Sequence, residues 1–140
     1  MESPRRLRPA LLAALLLAQA VAGLSPAAAS STAGFNTSGE SLNGGGASTT
    51  VAPGASVTFA LDYHVWAGND CPQCRFQIVI ALQDSPLYCA YDWSPGTAGY
   101  TGHDAHAIQA PTQPGTYTLS SGLTTENSCA DGKSKGWPNR

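Results

Sequence analysis

Four cysteines, Cys71, Cys74, Cys89 and Cys129, all fall in the second half of the 140-residue chain, and they constrain its fold more than any other feature. They lie downstream of an export pattern and inside the one stretch that reads as folded. An even number of cysteines in a short exported chain implies a disulfide framework, formed in an oxidising compartment and supporting a small core. Such a framework says how a protein is held together and is silent on what it does.

The export pattern has three parts. Arg5, Arg6 and Arg8 form a basic start, Ala10 to Ala18 is apolar, and Ala20-Val21-Ala22 supplies small residues. Together they predict a signal peptide over residues 1–22, cleaved after Ala22, with Ala29 as second choice. The apolar run is shorter than the roughly 20 residues that a spanning helix needs. No cysteine near the cleavage site invites lipid attachment, and no apolar segment ends the sequence. The expected product is soluble, without a membrane anchor, and secreted to the extracellular space or the periplasm.

Charge narrows the partners. Beyond residue 22 four cationic residues, Arg75, Lys133, Lys135 and Arg140, stand against eight acidic ones. Without a basic patch, nucleic acid and anionic membrane surfaces are not expected partners. Ser, Thr, Gly and Ala dominate, which suits an extracellular β-rich protein better than a cytosolic enzyme.

Residues 23–47 read as a flexible Ser/Thr/Gly-rich linker, in which Phe35 and Leu42 are the residues able to join a sheet edge. Asn36-Thr37-Ser38 matches the N-glycosylation pattern. From residue 48 the hydrophobic period becomes two. Val57, Phe59, Leu61, Tyr63 and Val65 alternate with polar or small residues and predict a strand with one buried face. Cys74 to Leu82 is apolar on both faces near its end, which predicts a central strand. After an Asp84-Ser85-Pro86 turn, Leu87, Cys89, Tyr91 and Trp93 share one parity on a third strand. Shorter strands are expected near Ser48 to Val51, over Ala105 to Gln109, after Pro114-Gly115, and near Asn127 to Ala130. Residues 131–140 read as a frayed polar tail, and no helix of useful length is predicted.

Short strands between Gly/Pro turns over residues 48–130 predict an all-β fold, a small antiparallel β-sandwich with two disulfides. Val51-Ala52-Pro53-Gly54-Ala55-Ser56-Val57-Thr58-Phe59 and Ala110-Pro111-Thr112-Gln113-Pro114-Gly115-Thr116-Tyr117-Thr118-Leu119 resemble phrases of secreted bacterial immunoglobulin-like and fibronectin-like modules. Gly115 to Leu119 is similar to the tyrosine-corner region of immunoglobulin domains, with Leu119 where that family often has its second cysteine. The inter-sheet disulfide of antibody domains therefore does not carry over. The resemblance implies an immunoglobulin-like architecture and no activity.

Four cysteines allow three pairings. A tight hairpin at residues 84–86 would set Cys89 opposite Ala81 and leave Cys74 roughly 23 Å away along its strand, beyond the reach of a disulfide. The favoured pairs are Cys89–Cys129 and Cys71–Cys74, unless the third strand crosses to the other sheet. Loop entropy gives the long link about 4 kcal/mol and the short one about 2 kcal/mol. The long link is thus expected to clamp two facing layers.

Three groups of residues are candidates for chemistry. Cys71-Pro72-Gln73-Cys74 looks like a thioredoxin-type redox motif, but such motifs open a helix, and strand sequence follows here. His103 and His106 stand three apart in a Gly-rich stretch, with His64 beside Asp62 on the first long strand. Together they are a metal-binding alternative that lacks two ligands on one element. Trp66 and Tyr100 are the candidate ligand-binding rings, since parity does not place them inside. Tyr91 and Trp93 are instead expected to pack around the Cys89 disulfide. No nucleophile elbow, catalytic triad, acid/base pair or cofactor-binding pattern is found. The expected function is a non-catalytic binding or structural module for an extracellular protein or glycan. The sequence leaves its oligomeric state open.

Overall fold

The computed structural model describes residues 32–69 and 71–137. The predicted signal peptide lies outside them. Among the described residues six strands form two three-stranded antiparallel sheets. The first sheet has the order β1-β2-β5, with β1 Gly34–Leu42, β2 Ser56–Trp66 and β5 Tyr100–Gln109. The second has the order β4-β3-β6, with β3 Phe76–Leu82, β4 Ser85–Trp93 and β6 Leu119–Thr124. Phe59, Leu61, Tyr63 and Val65 of β2 pack against Phe76, Ile78 and Ile80 of β3 and Tyr91 of β4, so the sheets face one another as a sandwich. The expected all-β class and both disulfide pairs, Cys71–Cys74 and Cys89–Cys129, are present.

The alternation over residues 57–65 appears directly as burial, because every second residue of a strand faces the core. β3 is central, as its two-sided apolarity implies. Its outer face is not bare. A helical turn, α1 (Cys129–Asp131), continues through a wider helical turn over Gly132–Gly136 and lies across that face. The expected strand at 127–130 and frayed tail from 131 are therefore corrected: this segment is a helical cover as far as residue 137. Ser128 caps α1, its Oγ accepting from the Asp131 amide at 3.2 Å. Trp137 lies over Gly122 of β6, where a β-carbon would meet the indole, and donates from Nε1 to Asp84 O at 3.1 Å.

The residues of 23–47 that were read as linker are likewise partly strand. β1 pairs with β2 from Gly34↔Trp66 to Leu42↔Phe59, and Phe35 and Leu42 join the core rim. The third expected strand also differs in detail. Gln83 and Asp84 both take positive φ, forming the two-residue turn that right-twisted hairpins favour. Two bulges then break the parity of β4, so Cys89 lies opposite Val79 and not Ala81. Tyr91, opposite Ile78, faces the core, while Cys89 shares the outer face of Val79. The Cys89–Cys129 bond therefore ties the cover to the outside of one sheet. It does not join the facing layers, which corrects that expectation.

A buried polar hub completes the join. Gln77 is fully buried, and its amide donates to Asp92 Oδ1 and Glu126 O, each at 2.9 Å. Its carbonyl accepts from Thr124 Oγ1 at 3.1 Å and Glu126 N at 3.0 Å. Full satisfaction lets a polar side chain sit buried near the start of an otherwise apolar central strand. Because the long disulfide closes a 40-residue span, the double variant Cys89→Ala/Cys129→Ala is expected to lose about 4 kcal/mol, against about 2 kcal/mol for Cys71→Ala/Cys74→Ala. Denaturant titration of the two variants measures the order, and equal losses would contradict it.

Candidate functional site

The two open sides of the sandwich differ. On the β1/β6 side a groove of about 800 Å³ runs in from one end of the molecule. Val57, Phe59 and Leu61 of β2, Leu82 of β3, Ile108 of β5 and Leu119 of β6 form its apolar floor. The segments 47–53 and 109–118 form its walls. The walls are fastened by Gly54 N donating to Pro111 O at 3.1 Å and Ala110 N to Ala55 O at 2.8 Å. Tyr117 Oη donates to Gln113 O, four residues upstream, at 2.9 Å. Among the described residues, Glu40 is the only charged side chain in the lining. The volume is that of a ligand site, with an apolar body and a polar rim. The short strands that the sequence predicts in these walls, near Ser48 to Val51 and directly after Pro114-Gly115, are corrected: both stretches are irregular, and strand resumes at Leu119, because Pro53, Pro111 and Pro114 interrupt the ladder.

The β4/β5 side is closed by aromatic rings. Tyr63, Tyr91 and Tyr100 form a triangle with centroids 5.5–6.2 Å apart. Burial raises the pKa of both Tyr63 and Tyr91, so their hydroxyls stay protonated at neutral pH. Tyr100 is half exposed. Trp93 is 66% exposed, with the Arg75 guanidinium 5.2 Å from its ring centroid. It does not pack around the disulfide as expected, because the bulges place Cys89 on the other face; Tyr91 is buried, but in the inter-sheet core. Further along, Tyr88 donates to Asp104 Oδ2 at 2.7 Å and stacks on His106 with centroids 4.1 Å apart. Burial, followed by the Asp104 hydrogen bond, pushes the Tyr88 pKa upward.

Trp66 and Tyr100 are not brought together. Tyr100 pairs with Val65, so it shares that residue's inward face, whereas Trp66 is on the outer face of the same sheet. Trp66 covers Gly34, where a β-carbon would strike its ring, and donates to Thr32 O at 3.0 Å. It stacks on His64, centroids 5.5 Å apart. His103 and His106 lie within β5 and not in a loop, so their separation of three puts them on opposite faces. His103 Nδ1 contacts Asp62 Oδ1 at 2.8 Å, and His64 Nδ1 contacts Thr101 Oγ1 at 2.9 Å. Among the described residues no three His, Cys, Asp or Glu side chains gather as a metal site. Cys71 and Cys74 close a turn, Cys74 N donating to Cys71 O at 3.0 Å, and the chain then enters β3.

Asp92 lies beside the tyrosines but is fully committed. Arg75 grips it through Nε and Nη2 at 2.8 and 2.9 Å, Gln77 donates to Oδ1, and Cys129 N donates to Oδ2 at 3.0 Å. Burial works to raise its pKa, but these donors outweigh it and hold the carboxyl below the usual range. No protein-family model, curated protein or solved structure matches the chain.

The depressed Asp92 pKa sets a sign. Its contribution to stability is complete above the unfolded carboxyl pKa of about 3.9 and is lost as pH falls through the lower folded value. Asp92→Asn is thus expected to be less stable than the parent at pH 7, with the gap narrowing below about pH 4. Denaturant midpoints across pH measure it, and a gap that widens in acid would contradict it.

Proposed function

We propose that this protein is an exported, non-catalytic binding module, acting in the extracellular or periplasmic space, whose groove receives an extended segment of a partner polypeptide. The observation that carries this reading is the apolar floor of the groove beside the outer strand β6. Among the described residues β6 pairs only with β3, and its run Leu119-Ser120-Ser121-Gly122-Leu123-Thr124 contains no charge and no proline. An extended chain laid along it would gain ladder hydrogen bonds and drop alternate side chains onto Phe59, Ile108 and Leu119. Glu40 favours a neutral or basic segment. Two formed disulfides are compatible with the oxidising compartment to which the sequence pattern points. The Tyr117–Gln113 hydrogen bond supports the resemblance to immunoglobulin-like modules, being the bond a tyrosine corner makes.

Other readings have less support. A glycan platform would use Trp93 and Tyr100, but one neighbour of the Trp93 ring is already Arg75. Metal chemistry would need His103 and His106 on one face, and β5 divides them. Thiol chemistry would need a helix after Cys74, and β3 stands there.

Panning a library of ten-residue peptides against the oxidised protein tests the reading. Enriched peptides are expected to carry apolar residues at alternate positions. Ser121→Trp fills the groove from β6 without removing a core side chain, and is expected to weaken those peptides at least about tenfold while leaving the melting temperature nearly unchanged. Peptides that bind this variant equally well would contradict the assignment.

A further inference from the structure

Among the described residues, strand β5 is an outer strand that pairs with β2 alone. Its ten residues keep one unbroken register from Ser56↔Gln109 to Val65↔Tyr100, and they include no proline, lysine or arginine. Two other outer strands are blunted. β1 is bulged between Ser38 and Ser41, and β4 carries Pro86 and two bulges. β5 is long and regular, and its one protection is an acidic side chain on the inward face, Asp104. An inward carboxylate opposes indiscriminate edge pairing, since in most registers it meets an apolar group or its own copy. His106 stands two residues along on the same face, and Tyr88 holds both side chains at the seam.

We propose that β5 pairs antiparallel with β5 of a second copy of this chain, about a two-fold axis through Ala105. In that register Asp104 lies opposite His106 of the second copy, twice by symmetry. Gly102 lies opposite Ile108, and Thr101 opposite Gln109. Opposite residues of an antiparallel pair carry β-carbons about 4.5–5.5 Å apart, so each carboxylate reaches the facing imidazole. Moving the register by two residues sets Asp104 against Asp104, or His106 against His106. Moving it by one turns the second sandwich over and leaves Asp104 opposite Ala105. Charge complementarity thus selects one register, and a closed two-fold pairing occupies both β5 edges. The product is one continuous six-stranded sheet in the order β1-β2-β5-β5-β2-β1. The seam shares Ile108 and Gln109 with the groove, but Asp104, Ala105 and His106 lie outside the groove's lining, so Ala105→Cys and His106→Asp test the dimer apart from the groove.

Sedimentation equilibrium of the oxidised protein is expected to show a concentration-dependent dimer. Ala105→Cys is expected to cross-link to a covalent dimer at least about tenfold faster than Thr101→Cys or Gln109→Cys alone, because only Ala105 faces its own copy. A mixture of the Thr101→Cys and Gln109→Cys proteins is expected to give the mixed dimer. His106→Asp, which lines the seam with carboxylates, is expected to weaken the dimer at least about tenfold, and the reversal Asp104→His/His106→Asp to restore it. A protein that stays monomeric at every concentration overturns the proposal. So does faster cross-linking at Thr101 or Gln109 than at Ala105, or a reversal variant that folds with the parent's melting profile yet does not dimerise.

Discussion

Val79 and Ala81 are fully buried, yet they point away from the core between the sheets. An antiparallel sheet can leave one face to water only if that face is polar, and this one is not. The covering of this outer face by residues 129–137 is the constraint on which the rest of the structure depends. The covering segment has no apolar stripe of its own and only a three-residue α-helical turn, too short to persist alone. What holds it is covalent and polar: the Cys89–Cys129 bond at one end, the Asp92 and Gln77 hydrogen bonds beside it, and Trp137 against Gly122 at the other end. The disulfide therefore acts less as a clamp on the sandwich than as the fastening of its lid.

With both faces of β3 sheltered, the sandwich can leave its sides unequal. Tyrosines fill the gap between β4 and β5, their apolar rings inside and their hydroxyls toward water or a carboxylate. Among the described residues nothing comparable fills the gap between β1 and β6, and partly buried apolar residues such as Ile108 and Leu119 line the groove above the core. The ionisable groups follow the same division. Asp104 and the histidines are engaged at the tyrosine side or on the outer face of β2 and β5, and Arg75 and Asp92 beside the cover on the outer face of β3 and β4, while the groove has, among the described residues, Glu40 alone. That separation of charge from cavity underlies the reading of the molecule as a binder.

Much of the fold was legible in the residues because strands write a period of two. The core face of β2 and the central place of β3 follow from it, and so did the cysteine pairs, from the reach of a disulfide along a strand. The parts that escaped are those where the period breaks or carries no signal. A bulge in β4 put Cys89 and Tyr91, expected on one face, on opposite faces, and Trp93, on the face of Tyr91, is left exposed at the end of the strand. β1, mostly Gly, Ser, Thr and Asn, is a strand because β2 offers it an edge, a tertiary cause that composition cannot show. The C-terminal cover is built from glycines and lysines, and its order comes from the link to Cys89 and the hub at Gln77. The candidate site was least legible. Trp66 and Tyr100 both lie on the surface side of the molecule but on opposite faces of one sheet, and the groove is assembled from proline-bearing turns with no pattern to mark them.

The contact of Trp137 with Gly122 offers the most direct test of the covering account. In the proton spectrum of the oxidised protein, an indole ring packed over Gly122 shifts the α-protons of that glycine strongly upfield. Reduction under native conditions should abolish the shift while the Tyr63–Tyr91 contacts of the inter-sheet core persist. Gly122 α-protons at ordinary positions in the oxidised protein, or a shift that survives reduction intact, would show that the disulfide does not hold the cover in place.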